Sequence, residues 1–211
     1  MGRRRGWGVL AGAALLMLYP AIFTGDFMER IGALVLLSAI GASAWNILGG
    51  YAGQISVGHA VFFGIGAYVP LLFFKLWQTP PAAGIPAAVA ASLVVAIVIG
   101  FPTFRLVGHY FSMATIAVAE LVRILISNWD FVGAAIGLMG PATARTPFDL
   151  SFKSSVPYYY LFLLVLAVVL AVTWSFERGR MGYYLRAIKA SERAARSLGV
   201  PVRRYKIYAL L

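Results

Sequence analysis

The chain has 211 residues, of which 61% are hydrophobic and 12% are charged, whereas a soluble domain is about 45 to 50% apolar and about 25% charged. This balance excludes an ordinary soluble domain, and the absence of cysteine together with only two isolated histidines excludes a disulfide framework and predicts no metal site. The formal net charge of +11 comes from basic residues at the ends of apolar blocks, so we expect no nucleic acid partner.

Six apolar blocks have about the length that crosses a hydrocarbon layer of about 30 Å, and they predict six membrane helices. The predicted spans are 7–23, 31–48, 56–74, 84–101, 110–127 and 157–176. A further apolar stretch starts at Tyr205 and stops at Leu211, so we expect a chain truncated at the start of a seventh span. The expected fold class is all-α, a polytopic membrane helix bundle in which 1–211 form a single incomplete transmembrane domain.

The N-terminal residues set the expected orientation. Arginines precede the first apolar block, as in a secretory signal peptide, but no small-x-small cleavage site follows at 21–26, and this favours an uncleaved first helix. With a cytoplasmic N-terminus, the inner segments hold thirteen Lys and Arg and the outer segments four. Because cytoplasmic loops carry the basic excess, this count predicts that orientation and attributes the net charge to topology and to attraction by the anionic lipid bilayer.

The outer segment 129–156 is unusually long for a connection between spans. It is rich in Gly, Pro and Thr and carries four charged residues, which are Asp130, Arg145, Asp149 and Lys153. Two readings stay open for it, a docking surface for an external partner and a plain connecting loop.

The inner segment 177–204 is basic and contains a short helical pattern. Ser191 is a good N-cap, Gly199 suits the left-handed position after a helix and Pro201 prevents continuation, so 192–198 are predicted to be helical. The small side chains of this helix are predicted to form one apolar face, with a rim of arginines. The face residues are Ala194, Ala195 and Leu198, and the rim residues are Arg193 and Arg196. Such a helix either docks into a groove on a cytosolic partner or lies on the lipid headgroups.

Polar side chains at the start of the third span and within the fifth are candidates for a translocation path. Gln54, Ser56 and His59 lie where an unsatisfied polar group is costly, and His59 is predicted either to make an interhelical hydrogen bond or to line a path. Glu120 and Arg123 are three residues apart, so they share a helix face and are predicted to form a structural ion pair or to line the route.

Three stretches of the sequence are similar to a known family. They are 46–68 (NILGGYAGQISVGHAVFFGIGAY), 108–123 with its GHYFSMATIA and AELVR parts, and 182–200 (GYYLRAIKASERAARSLGV) followed by RYK at 204–206. The chain thereby resembles the branched-chain amino acid ABC permeases of the LivM type. The resemblance implies a multi-pass protein of the bacterial inner membrane that imports leucine, isoleucine or valine, although related permeases also serve urea, short amides and other amino acids.

The resemblance also implies partners and a coupling site. A second permease subunit, cytosolic ATPase subunits and an external substrate-binding protein are expected. The inner loop of such importers carries a Glu-Ala-Ala, three variable residues and a Gly that seat in the ATPase subunit. Here Ala194, Ala195 and Gly199 match this pattern, but Arg193 stands at the Glu position and Glu192 precedes it by one residue. This departure puts the individual role of Glu192 in doubt.

No covalent chemistry is expected of this chain. It contains no Gly-x-x-x-x-Gly-Lys-Ser/Thr nucleotide loop, so we expect no cofactor here and ATP use by a partner. No catalytic residues are predicted, because no nucleophile and base pattern is visible. The main alternative function is an ion-coupled secondary transporter or channel, in which His59 and the Glu120 and Arg123 pair would be the coupling sites.

Overall fold

The computed structural model describes residues 2–23, 25–140 and 147–211. These residues form nine α-helices, as expected for an all-α fold. The helices are α1 Gly2–Ile22, α2 Asp26–Asn46, α3 His59–Trp77, α4 Ile85–Thr103, α5 His109–Ser127, α6 Val156–Arg178, α7 Arg180–Ala190, α8 Glu192–Ser197 and α9 Val202–Leu210. Arg145, one of the charged residues of the predicted outer loop, lies outside the described residues.

Five segments of the described chain are long and apolar enough to cross a membrane, and they correspond to the second to sixth predicted spans. They are Asp26–Tyr51, His59–Trp77, Pro81–Thr103, His109–Ser127 and Val156–Arg178. The first predicted span, 7–23, falls on the helix α1 Gly2–Ile22. The expected membrane helix bundle is thus confirmed, and a sixth crossing by α1 stays a prediction.

The helices α1 and α2 begin five residues before the predicted spans, at Gly2 and Asp26, and two further helix starts near the candidate site also differ from the sequence prediction. The third span was predicted from Ser56, but α3 begins at His59. The residues between Tyr51 and His59 are not helical, because the chain turns at Gly53, which has a left-handed backbone conformation (φ +68°). The last apolar stretch was predicted from Tyr205, but α9 begins at Val202, directly after Pro201, whose ring fixes a helix-compatible φ of −76°.

The first compact unit comprises Met1–Ala44 and Phe152–Ser175. Its core is formed by side chains from α2 and α6, namely Ala33, Leu36, Tyr159 and Leu166. The ring of Tyr19 in α1 stacks on the ring of Tyr159, with centroids 5.4 Å apart. This unit is held together by aromatic packing between spans.

The second compact unit comprises Trp45–Ser151 and Phe176–Leu211. Its core is formed by side chains from the segment that follows α2, from the region where α4 ends and α5 begins, and from the three helices that follow α6. The core residues are Leu48, Ala52, Phe104, Phe111, Leu185, Ile188, Ala195, Val202 and Ala209. Segments predicted to lie on the cytoplasmic side therefore meet in one apolar cluster, and this cluster positions the candidate site.

Candidate functional site

The chain between α2 and α3 leaves the α-helical conformation in a defined way. One π-helical turn, Ile47–Tyr51, extends α2, and π-helical turns are frequent at functional sites. Gly53 then turns the chain, and the N–H of Gln54 donates to the carbonyl of Leu48 over 3.1 Å. A side chain at position 53 would also come within 2.9 Å of Cγ of Lys189. Glycine is therefore required here both by conformation and by space.

Side chains from three other parts of the unit satisfy the backbone of this unwound segment. The pairs are Trp45 Nε1 to the Ser56 carbonyl (2.6 Å), Ser112 Oγ to the Ile55 carbonyl (2.7 Å), the Val57 N–H to Thr115 Oγ1 (3.2 Å) and Lys189 Nζ to the Gly50 carbonyl (2.8 Å). Non-helical backbone at membrane depth is tolerated only where protein or water supplies such partners. The segment is thus held in one conformation by α5 and α7. We refer to residues 45–58, the first two turns of α5 and residues 180–206 as the inner junction.

The short helix α8 has the ends that the sequence predicted. The Ala194 N–H donates to Oγ of Ser191, and Gly199 has a φ of +80°. Two hydrogen bonds close the C-terminal end, from Val200 N to the Ala195 carbonyl (3.1 Å) and from Gly199 N to the Arg196 carbonyl (3.0 Å). This pair of bonds is the Schellman motif, which needs a left-handed residue at the position of Gly199. The prediction of a short capped helix is confirmed.

The side chains of α8 do not form the single apolar face that was predicted. Ala195 is buried in the core of the second unit with 2% exposure, whereas Leu198 is 83% exposed and Ala194 is also exposed. The difference arises because α8 packs against α7 and α9 on the side that carries Ala195. Its free side presents Ala194 and Leu198 beside the exposed Arg193 and Arg196.

Glu192 lies on the packed side of α8 and meets two partners from distant parts of the chain. Its Oε1 accepts a hydrogen bond of 3.1 Å from Nε2 of Gln54 and forms an ion pair with Nζ of Lys206. The Lys206 side chain is 1% exposed, and Gln54 is 7% exposed. The structure thus brings Gln54, a residue predicted for a translocation path, together with the predicted coupling residue Glu192.

Ser56 and His59 follow Gln54 in the chain. Ser56 is buried, and its neighbour Gly58 lies close to the carbonyl of Thr115, to which a Cβ at position 58 would be 3.3 Å. His59 is the first residue of α3, and its ring stands edge-on to Phe62 with centroids 6.1 Å apart. The start of α3 therefore packs closely on α5.

Glu120 and Arg123 form the predicted ion pair on α5. Arg123 donates through Nε to Oε2 of Glu120 (2.9 Å) and through Nη2 to Oε1 (2.6 Å). Both side chains are exposed, on the side of α5 opposite to the buried Phe111 and Thr115. The pair is more than one helical turn beyond Thr115, so it belongs to a separate part of the helix from the inner junction.

Several residues of the inner junction were not singled out by the sequence interpretation. Lys189 and Lys206 were counted as basic residues of the inner segment and lie within the stretches of family resemblance, but neither was given a role of its own. Ser112 and Thr115 carry a signal that was available, because two small hydroxyl side chains three residues apart in an apolar helix share one face. Lys206 carries no such signal, since its partner Glu192 lies on a different helix, 14 positions earlier in the chain. Within the described ranges, no three His, Asp or Glu side chains come close enough together to hold a metal ion.

Comparison with known proteins identifies the family of this chain. The family model described as branched-chain amino acid transport system / permease component matches residues 27–211. Two curated relatives are named high-affinity branched-chain amino acid transport system permease protein LivM. The chain is 30% identical to that of Escherichia coli (strain K12) over 207 residues and 29% identical to that of Salmonella typhimurium (strain LT2) over 208 residues. Each match covers 85% of this chain and 48% of the relative, so the chain spans about half the length of the curated relatives it matches. No solved structure matches the chain significantly.

Proposed function

Because this chain belongs to the permease component family of branched-chain amino acid transport systems, we propose that it forms part of the transmembrane subunit of an ABC importer. The complete subunit pairs with a second permease subunit in the bacterial inner membrane and has a cytoplasmic N-terminus. It receives leucine, isoleucine, valine or a related amino acid from an external binding protein. ATP hydrolysis on cytosolic ATPase subunits drives the transport, and this chain acts as a transport component without covalent chemistry of its own.

The free side of α8 is the observation that carries the proposal of an ATPase partner. Leu198 is 83% exposed, and it stands beside Ala194 with Arg193 and Arg196 around them. The packed side of the same helix anchors it through Ala195, so the helix is presented rigidly. An apolar anchor with a cationic rim fits a groove that is apolar at its base and acidic at its edge. We propose that the ATPase subunit provides this groove for Ala194, Leu198 and the turn at Gly199.

The expected orientation is supported by the contacts of the second unit. The connection between α2 and α3 touches the segment after α6 through Gln54 and Glu192, and the end of α4 accepts a hydrogen bond of 2.6 Å at the Phe101 carbonyl from Arg203. These segments were assigned to one side by the alternation of the predicted spans, whose orientation follows from the basic excess. Their convergence agrees with one common side for these segments, on which the free side of α8 with Arg193 and Arg196 would meet a cytosolic partner.

We further propose that the ion pair of α5 faces the translocation path. Charged groups are costly in lipid, and intramembrane ionisable residues turn towards the bundle interior or water. Glu120 and Arg123 lie on the exposed face of α5, and Ala117 precedes them by one turn on that face. Ser56 and Gln54 are buried in the inner junction, so we assign them to the support of the path and not to its lining.

The experiment that tests this function uses the complete permease with its partner subunits in proteoliposomes. Radiolabelled leucine uptake is measured with and without ATP and with and without the external binding protein. We expect uptake to require both. The variant Leu198→Asp is expected to abolish ATP-dependent uptake and the retention of the ATPase subunits during purification. The matched variant Leu198→Met keeps the apolar contact and is expected to retain both.

An ion-coupled secondary transporter predicts a different result in the same vesicles. Uptake would then follow an imposed ion gradient in the absence of ATP, and Leu198→Asp would leave it unchanged. The exposed Glu120 and Arg123 pair is the feature that favours this second function, because paired ionisable residues within spans also serve ion coupling.

A further inference from the structure

We propose that Glu192 is a positioning residue that ties the docking helix α8 to the unwound segment between α2 and α3, and that it does not contact the ATPase subunit. The inference rests on the proposed function, since it concerns how motion of α8 reaches the membrane helices. Its carboxylate is the point at which α8, the unwound segment and α9 meet.

The geometry of the carboxylate favours an internal role. Oε1 of Glu192 accepts from Nε2 of Gln54 at 3.1 Å and pairs with Nζ of Lys206, so both contacts converge on one oxygen. The Glu192 side chain is 18% exposed, and that of Lys206 is 1% exposed. A buried ammonium group needs a charged partner, because the loss of that partner leaves an uncompensated charge in the protein interior. Glu192 is therefore occupied inside the subunit.

The position of Glu192 on α8 agrees with this assignment. Glu192 and Ala195 are three residues apart and lie on the packed side of the helix, whereas Arg193 lies on the free side. The sequence pattern of such loops places a glutamate where Arg193 stands. In this chain the acidic residue of the loop lies on the packed side, and the free side is basic.

Both partners of Glu192 are anchored independently to membrane helices. Gln54 belongs to the segment that Ser112 and Thr115 hold on α5. Lys206 belongs to α9, which Arg203 joins to the end of α4 through the Phe101 carbonyl and a stacking contact 3.7 Å from the Phe101 ring. A displacement of α8 is therefore transmitted to α4 and α5 as long as the carboxylate holds its two partners. Without the Glu192 carboxylate, α8 keeps its apolar contact at Ala195 but loses its polar link to α4 and α5.

The test measures leucine uptake and ATP hydrolysis in the same proteoliposomes, which contain the complete permease and its partner subunits. Glu192→Gln keeps the shape of the side chain but removes the charge that Lys206 requires. We expect it to lower the amount of leucine imported per ATP hydrolysed by roughly two- to thirtyfold, while the ATPase subunits remain bound. The reversed pair Glu192→Lys with Lys206→Glu is expected to return this ratio towards the wild-type value.

Arg193→Gln is the matched control on the free side of α8. It is expected to weaken retention of the ATPase subunits, which Glu192→Gln leaves intact. The inference is overturned if Glu192→Gln releases the ATPase subunits, or if it keeps the wild-type ratio. Where Glu192→Gln is not recovered from the membrane, the reversed pair decides: a wild-type ratio supports the link, and a low ratio or a second failure to recover protein overturns it. If the wild-type complex itself shows no ATP-dependent uptake, it is the proposed function that fails.

Discussion

The hydroxyl of Tyr159 in α6 donates a hydrogen bond of 2.7 Å to the carbonyl of Leu16 in α1. Pro20 lies four residues after Leu16, at the position whose N–H would bond this carbonyl in an uninterrupted helix. The proline leaves the acceptor free, and the tyrosine from another span takes the place of the missing donor. Tyr160 adds a bond of 3.2 Å to the next carbonyl, that of Met17.

Tyr159→Phe removes this donor and keeps the ring. We expect a loss of about 1 to 3 kcal/mol in the free energy of unfolding, because a carbonyl in an apolar environment then has no partner. The measurement is denaturant unfolding of the purified protein in detergent micelles. In a Pro20→Ala background the N–H of residue 20 reaches the Leu16 carbonyl, and the same substitution should cost less. An equal cost in both backgrounds would contradict the idea that the Tyr159 hydroxyl replaces the donor that Pro20 lacks.

Thr115→Val tests the hydroxyl that supports the unwound segment. The Thr115 side chain is 4% exposed and accepts from the Val57 N–H. Valine has nearly the same shape, so the expected loss of about 1 to 3 kcal/mol in unfolding free energy reflects the orphaned N–H. Thr173→Val is the control, because the Thr173 hydroxyl only donates to the Val169 carbonyl within α6. We expect its effect to stay within about 0.5 kcal/mol, and similar losses in both variants would contradict the role of Thr115.

Gly53→Ala tests the turn that ends the π-helical extension of α2. Residue 53 has a φ of +68°, and a Cβ there would lie 2.9 Å from Cγ of Lys189. We expect a loss of about 1 to 2 kcal/mol for the left-handed conformation alone, measured as a lower thermal midpoint in detergent. Gly64→Ala is the comparison, since residue 64 is helical and nothing described lies within 4 Å of its added Cβ. Gly64→Ala should leave the thermal midpoint unchanged or raise it slightly. An unchanged thermal midpoint in Gly53→Ala would refute the requirement for glycine at position 53.

Ala117→Cys tests whether the charged face of α5 meets water. These 211 residues contain no cysteine, and the unsubstituted importer gives the background labelling against which the introduced thiol is read. In the complete importer we expect a charged, membrane-impermeant thiol reagent to modify residue 117, because the face that carries Glu120 lines the path. Val94→Cys is the matched control, in the middle of the apolar α4 and 60% exposed in this chain. The thiol at position 94 should stay unmodified. If the reagent modifies neither position 94 nor position 117, the proposal that this face of α5 lines the path is wrong.

The features that could be read from the sequence are those that depend on neighbouring residues. The membrane helices follow from apolar blocks of sufficient length, and the ends of α8 follow from Ser191 and Gly199, whose cap geometry is local. The ion pair of Glu120 and Arg123 also follows, because residues three apart on a helix are neighbours whatever the rest of the chain does.

The arrangement of the inner junction was decided only by tertiary structure. Gln54 and Glu192 are 138 positions apart in the chain, and their contact depends on how four helices pack. The same packing buries Ala195 and exposes Leu198, although both are small or apolar residues that the sequence placed on one face. The charge of Lys206 alone suggests an exposed side chain, but the fold buries it. A buried lysine is stable only with a charged partner, and the fold brings the Glu192 carboxylate to it. Local patterns thus determined the helices and their caps, whereas the side of α8 that is free for a partner and the residue that anchors it depend on packing between distant segments.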